Sequence, residues 1–137
     1  MPDSDPNAPQ LSAHALLIGD RINTAGFEGQ ILSSTPLAVR IGESGLAVVF
    51  RYGVAVFIGL TAKEEADFLE RLQLRTFGTI APPEEEAAKI QIAKEAEEPI
   101  PVGGPILVRE MSLERLLIVA DALAWERILT GKNSARG

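Results

Sequence analysis

The chain has 137 residues, of which 46% are hydrophobic, carries a formal net charge of -6 at neutral pH and contains no cysteine. That length supports one domain with a real core and is short for two. The acidic balance argues against a broad nucleic-acid footprint, which needs clustered Lys and Arg. The missing thiols exclude disulfides, thiolate nucleophiles and Cys-based zinc sites.

Residues 1–10 (MPDSDPNAPQ) combine three prolines with Asp3 and Asp5 and offer nothing to bury, so they are expected to form a disordered tail. They lack the basic start and apolar run of a signal peptide and the arginines of a transit peptide. Together with the absence of cysteine, this makes the cytoplasm the expected compartment. Residues 11–131 are expected to form a single domain and 132–137 a frayed C-terminus.

Ser12 to Ile18 can form a first strand, closed by Gly19-Asp20. His14, the only histidine, lies within it. The ordinary reading is a core or strand-edge histidine, and any Ser-His or His-Glu mechanism would have to run through it. Residues 21–34 are ambiguous: Gly26 and Gly29 weaken a helix while Ile22, Phe27 and Ile31 supply anchors, so an irregular segment with a short helix is expected.

Leu37, Val39 and Ile41 alternate with Ala38 and Arg40, the period of a half-buried strand, and Gly42 to Gly45 form a turn. The next run, GLAVVFRYGVAVFIGL (45–60), is the least polar in the chain. It reads as two buried strands, Leu46 to Phe50 and Val54 to Ile58, reversed at Arg51-Tyr52-Gly53. A membrane span is the competing reading, disfavoured by length and by Arg51 at its middle. Because both strand faces are apolar, both need cover. A three-strand meander follows.

Thr61 with Glu64 three residues on is a capping-box pattern, and predicts a helix from Ala62 to about Leu74. Ala62, Ala66, Leu69 and Leu72 or Gln73 form its apolar stripe with Phe68 at the border, while Lys63, Asp67, Glu70 and Arg71 face water. Gly78 to Glu86, with Pro82-Pro83 and three acids, reads as a surface loop. The segment 87–98 is open between a helix, by composition, and an edge strand, by the alternation of Ile90 and Ile92 with Lys89 and Gln91; the strand is favoured. A Pro- and Gly-rich connector leads to a short strand at Ile106 to Glu110.

Ser112 caps the strongest periodic signal: Leu113, Leu116, Leu117, Ala120, Leu123, Ala124 and Ile128. Ile118, Val119, Ala122 and Trp125 widen the apolar belt almost to a full circle, so this helix is either deep in the core or covered by a partner. Asp121 interrupts the belt and is expected to be a paired core residue, with a partner contact as the alternative. Gly131 is expected to stop the helix.

No motif carries catalysis. Gly131-Lys132-Asn133 lacks the rest of a phosphate-binding loop, and Gly42-Glu43-Ser44-Gly45 is one residue short of a nucleophile elbow. Glu84 to Glu86 and Glu95 to Glu98 read as solvated charge rather than metal or acid-base carboxylates. No catalytic residue, cofactor or metal site is expected. Arg40, Arg51 and Tyr52 border apolar strands, where an exposed guanidinium can grip an acidic partner. With Trp125 they are the candidate partner-contact residues.

The blocks LLIGDRI, PLAVRIGESGLAVVFRYGVAVFIGLTAKEEADFLERL and ILVREMSLERLLIVADALA occur in an order that resembles the "required for meiotic nuclear division" family, whose shared region is a domain of unknown function. The likeness covers most of Leu16 to Ala124. It implies a non-enzymatic role, since mitochondrial relatives are implicated in supporting translation at the inner membrane as oligomeric tethers or scaffolds for ribosomes. Relatives continue past the "A-L-A" with a Lys-Ser pair, a coiled-coil-prone region and a hydrophobic segment. Here Trp125-Glu126 follows, and the sequence stops at Gly137, so no membrane span is expected in this chain.

The expected fold is α+β, an antiparallel sheet built on the Leu37 to Ile58 meander with two helices packed on it. The leading functional expectation is a non-catalytic interaction or scaffold domain with a protein partner, ribosome-associated by the resemblance, without direct nucleic-acid contact and with a tendency to homo-oligomerise. The alternatives are a small-ligand-binding regulatory domain and, third, an enzyme using carboxylates or His14.

Overall fold

The computed structural model describes residues 10–92, 106–108 and 112–136. Residues 1–9 of the tail expected over 1–10, the acidic run Glu95 to Glu98 and the connector through Pro105 lie outside the described residues, whereas Gln10 opens the first strand. The strands are β1 (Gln10–Leu17), β2 (Arg21–Ile22), β3 (Gln30–Ser34), β4 (Leu37–Ile41), β5 (Gly45–Phe50) and β6 (Val54–Ile58), followed by helix α1 (Ala62–Gln73). Strands β7 (Thr76–Phe77), β8 (Glu84–Ile92) and β9 (Ile106–Val108) precede helix α2 (Leu113–Arg136).

Seven strands form an open sheet in the order β3-β4-β5-β6-β1-β8-β9, and β2 pairs with β7 in a small second sheet. Every pair in the large sheet is antiparallel except β8–β9. The fold is thus α+β. The expected meander is present as β4-β5-β6, with Val48 opposite both Ala38 and Val56.

The two apolar faces of β5 and β6 are covered separately. On one, Val48, Phe50, Val54, Val56 and Ile58 pack with Leu17 and with Leu116, Val119, Ala120 and Leu123 of α2. On the other, Val49, Ala55 and Phe57 pack with Phe68 and Leu72 of α1 and with Phe27. Each large side chain removed from water contributes roughly 1.5–3 kcal/mol, which is why a sheet apolar on both sides needs both helices. No helix among the described residues is long and apolar enough to cross a membrane.

Several expectations are corrected. Residues 21–34 contain no helix. They form β2, a loop and β3, and the loop is held by α1 and the residues just after it: Arg71 donates to the Glu28 carbonyl at 2.6 Å and Arg75 to the Ala25 carbonyl at 2.6 Å. Both guanidinium groups also stack on Phe27, at 4.4 and 4.7 Å. Arg71 therefore seals an aromatic cluster in addition to meeting water.

The stripe of α1 is rotated from the expected one: Phe68 and Leu72 are buried, whereas Ala62 and Ala66 are exposed. Large rings gain more by burial than alanines do, so Phe68 rather than the alanines sets the inward face. Glu84 to Glu86 belong to β8 rather than to a loop, because Pro82-Pro83 constrain only what precedes them and the glutamates pair with Leu17, Leu16 and Ala15. Nor is β8 an edge strand, since it lies between β1 and β9. Finally, α2 runs through Gly131 to Arg136. A lone glycine costs a helix about 1 kcal/mol, too little to end one that is otherwise well packed.

Candidate interaction surface

The β5–β6 reversal builds the site. Gly53 turns the chain with φ near 104°, its N–H donating to the Phe50 carbonyl at 3.1 Å. Its carbonyl accepts from Ile18 N–H at 2.9 Å, and the Arg51 carbonyl accepts from Ile22 N–H at 2.9 Å. The turn is thus clamped from both sides of the β1–β2 corner. A clamped backbone gives Arg51 and Tyr52 fixed starting points.

Tyr52 is half-buried against Phe50, with ring centroids 5.4 Å apart, and meets Trp125 of α2 edge-on at 6.2 Å and 78°. Burial, and after it the nearby Asp121 carboxylate, push the Tyr52 hydroxyl up to about 12. It stays a neutral donor across the physiological range. Arg51, Tyr52 and Asp121, with Ser34, Thr35 and Phe50, line a cavity of about 250 Å³. A second cavity of about 530 Å³ shares Arg51, Thr24 and Ser34 and adds Arg21, whose guanidinium sits 4.8 Å from the Phe77 ring centre.

Of the four candidate contact residues, Arg51, Tyr52 and Trp125 come together at this corner. Arg40 does not. It opposes Leu46 and Gln30 toward the other end of β4 and donates to the Glu43 carbonyl of its own turn at 3.3 Å. Asp121 is exposed at the mouth of the cavity, which corrects its expected place in the core: its position on the helix carries it past the buried stripe.

The outer side of α2 continues from this corner. Trp125 is 57% exposed, Ile118 56% and Leu129 51%. Their spacing was present in the sequence, but so was that of the buried stripe, and the helix could offer only one of them to the sheet.

A different cleft, about 380 Å³, lies where β1, α1 and β8 meet. Here His14 Nδ1 is 2.8 Å from Glu65 Oε1, and Ser12 and Lys89 line the walls. A carboxylate only accepts, so Nδ1 carries the proton and Nε2 is left for other partners. Sequence reading had no way to join residues 51 positions apart. No protein-family model matches the chain, and no curated protein matches it either.

Proposed function

We propose that this chain is a non-catalytic protein-interaction domain, a scaffold of the "required for meiotic nuclear division" type, which meets its partner through the outer side of α2 and the Tyr52 corner. The observation that carries this reading is the exposure of Ile118, Trp125 and Leu129 on one side of a helix whose opposite side is buried. Aromatic side chains beside a pocket are the usual anchors of interfaces, and apolar groups aligned on a helix mark a surface that gains by being covered. From the family likeness, the partner belongs to the ribosome or is bound to it. The test is sedimentation of the tagged chain through a sucrose gradient in lysate. Co-migration with ribosomal particles that survives moderate salt and is lost in Trp125→Ser is expected; migration of the unaltered chain as a small free particle would remove the ribosome from the proposal.

A small-ligand-binding regulatory role is favoured by one observation, the His14–Glu65 pair inside its cleft. A ligand there would raise the melting temperature in a metabolite panel, and His14→Ala would abolish the rise.

A further inference from the structure

The apolar residues on the outer side of α2 are Ile118, Ala122, Trp125 and Leu129, at intervals of four, three and four. That is the interval of a coiled-coil seam, and it runs about 16 Å along the helix, roughly three turns. Among the described side chains, the exposed charges beside it are all acidic. Glu114, Asp121 and Glu126 are exposed, and they are the only exposed charged residues of α2 among its described side chains. Arg115 and Arg127 are half-buried instead, and Arg127 Nη1 reaches back to Glu86 on β8 at 3.7 Å. Asp121 lies on the Tyr52 side of the seam and Glu126 on the β8 side, where it bonds with Glu86. The seam is therefore bordered by acid on both sides.

Resting on the interaction reading above, we propose that the seam takes a basic amphipathic helix of a protein partner, its apolar residues interleaved with Ile118, Trp125 and Leu129 and its Lys or Arg side chains against Asp121 and Glu126. Two features select this occupant. A second copy of the chain would set the flanking carboxylates Asp121 and Glu126 against the same carboxylates, and like charges at the flanks of a helix pair oppose association. A basic helix is drawn by the flanks and by the overall charge of -6, so long-range attraction and local pairing act in the same direction. Arg51 is exposed and lines the Asp121 cavity as well as the second one, but it stands on the β5–β6 turn rather than on α2.

Trp125 is the only tryptophan, so its fluorescence reports directly on the seam. The full chain is titrated with three synthetic peptides: a helix with heptad leucines and Lys or Arg flanks, the same helix with Glu flanks, and a scrambled peptide of the basic composition. The expected result is a blue shift of Trp125 emission with the first peptide, binding about ten-fold or more tighter than the second at low salt and weakening as salt rises. The scrambled peptide should not reproduce the shift. In Asp121→Lys/Glu126→Lys, checked for an unchanged circular dichroism spectrum, the preference should reverse. Equal binding of the basic and acidic helices would overturn the charge argument while leaving α2 an interaction surface. A blue shift that follows protein concentration without peptide, with a dimer in sedimentation, would assign the seam to a second copy and overturn the proposal likewise. No shift with any peptide, together with ribosome co-migration unaffected by Trp125→Ser, would remove both this inference and the reading on which it rests.

Discussion

Gly53 has two reasons to be glycine. Its φ lies in the region that L side chains rarely adopt, and a Cβ built there runs into the Gly19 carbonyl. Gly53→Val should therefore lose about 2–6 kcal/mol, backbone strain and overpacking contributing comparably, as read by urea unfolding. An unchanged midpoint would mean that the turn is placed wrongly. Glu126 makes a prediction of the opposite sign. Desolvation, then the Glu86 carboxylate and its hydrogen bond, raise the Glu126 carboxyl above its ordinary 4.5, with Arg127 pulling the other way. Between 4.5 and the raised value, the folded chain keeps a proton that the unfolded chain has released. Stability consequently falls as pH rises through that window and stays lower above it. Glu126→Gln should melt higher than the parent at neutral pH and match it in acid; a variant that is less stable at neutral pH would contradict the assignment.

At the scale of elements, α1 shows what local sequence specifies well. Thr61 Oγ1 accepts from Glu64 N–H at 3.1 Å, and Glu64 Oε1 accepts from Thr61 N–H at 2.9 Å, the reciprocal box expected from T-x-x-E. Thr61→Ala should cost about 1 kcal/mol in chemical denaturation followed by circular dichroism. The face that α1 buries was less legible. Two stripes competed, and Phe68 prevailed over the alanines because it meets Phe57 edge-on at 5.8 Å and Phe27 at a tilt at 5.2 Å, two rings outside the helix. In α2 the belt of apolar residues is almost circular, so periodicity established a helix without saying which arc meets the sheet. The extent of β8 was hidden for a similar reason: acidic residues at its start look like loop until their partners on β1 are known.

For the molecule as a whole, the insertion of β1 between β6 and β8 decides most of the architecture. It brings Ala15 opposite both Val56 and Glu86 and so makes one sheet of strands far apart in sequence. Val56 then sits fully buried in the cluster that α2 covers. Val56→Asp should prevent folding, because an ionised carboxylate there finds no partner and its desolvation exceeds the few kcal/mol by which small domains are stable. Soluble, cooperatively unfolding Val56→Asp protein would contradict the packing. The same insertion sets His14 against Glu65 and, through the β5–β6 reversal, sets Tyr52 against Trp125.

The sequence by itself determined what depends on neighbours along the chain: the reversal at Arg51 to Gly53, the alternation in β4, the capping of α1, the helical period of α2 and the need to cover both faces of β5 and β6. Tertiary structure alone decided what depends on distance in space. It chose the arc of α2 that faces the sheet, joined Arg51, Tyr52 and Trp125 while leaving Arg40 apart, and turned Asp121 outward. The physical reason is that propensity and capping act over three or four residues, whereas burial is a competition among all apolar surfaces at once, and only the assembled sheet settles which of them stay in water.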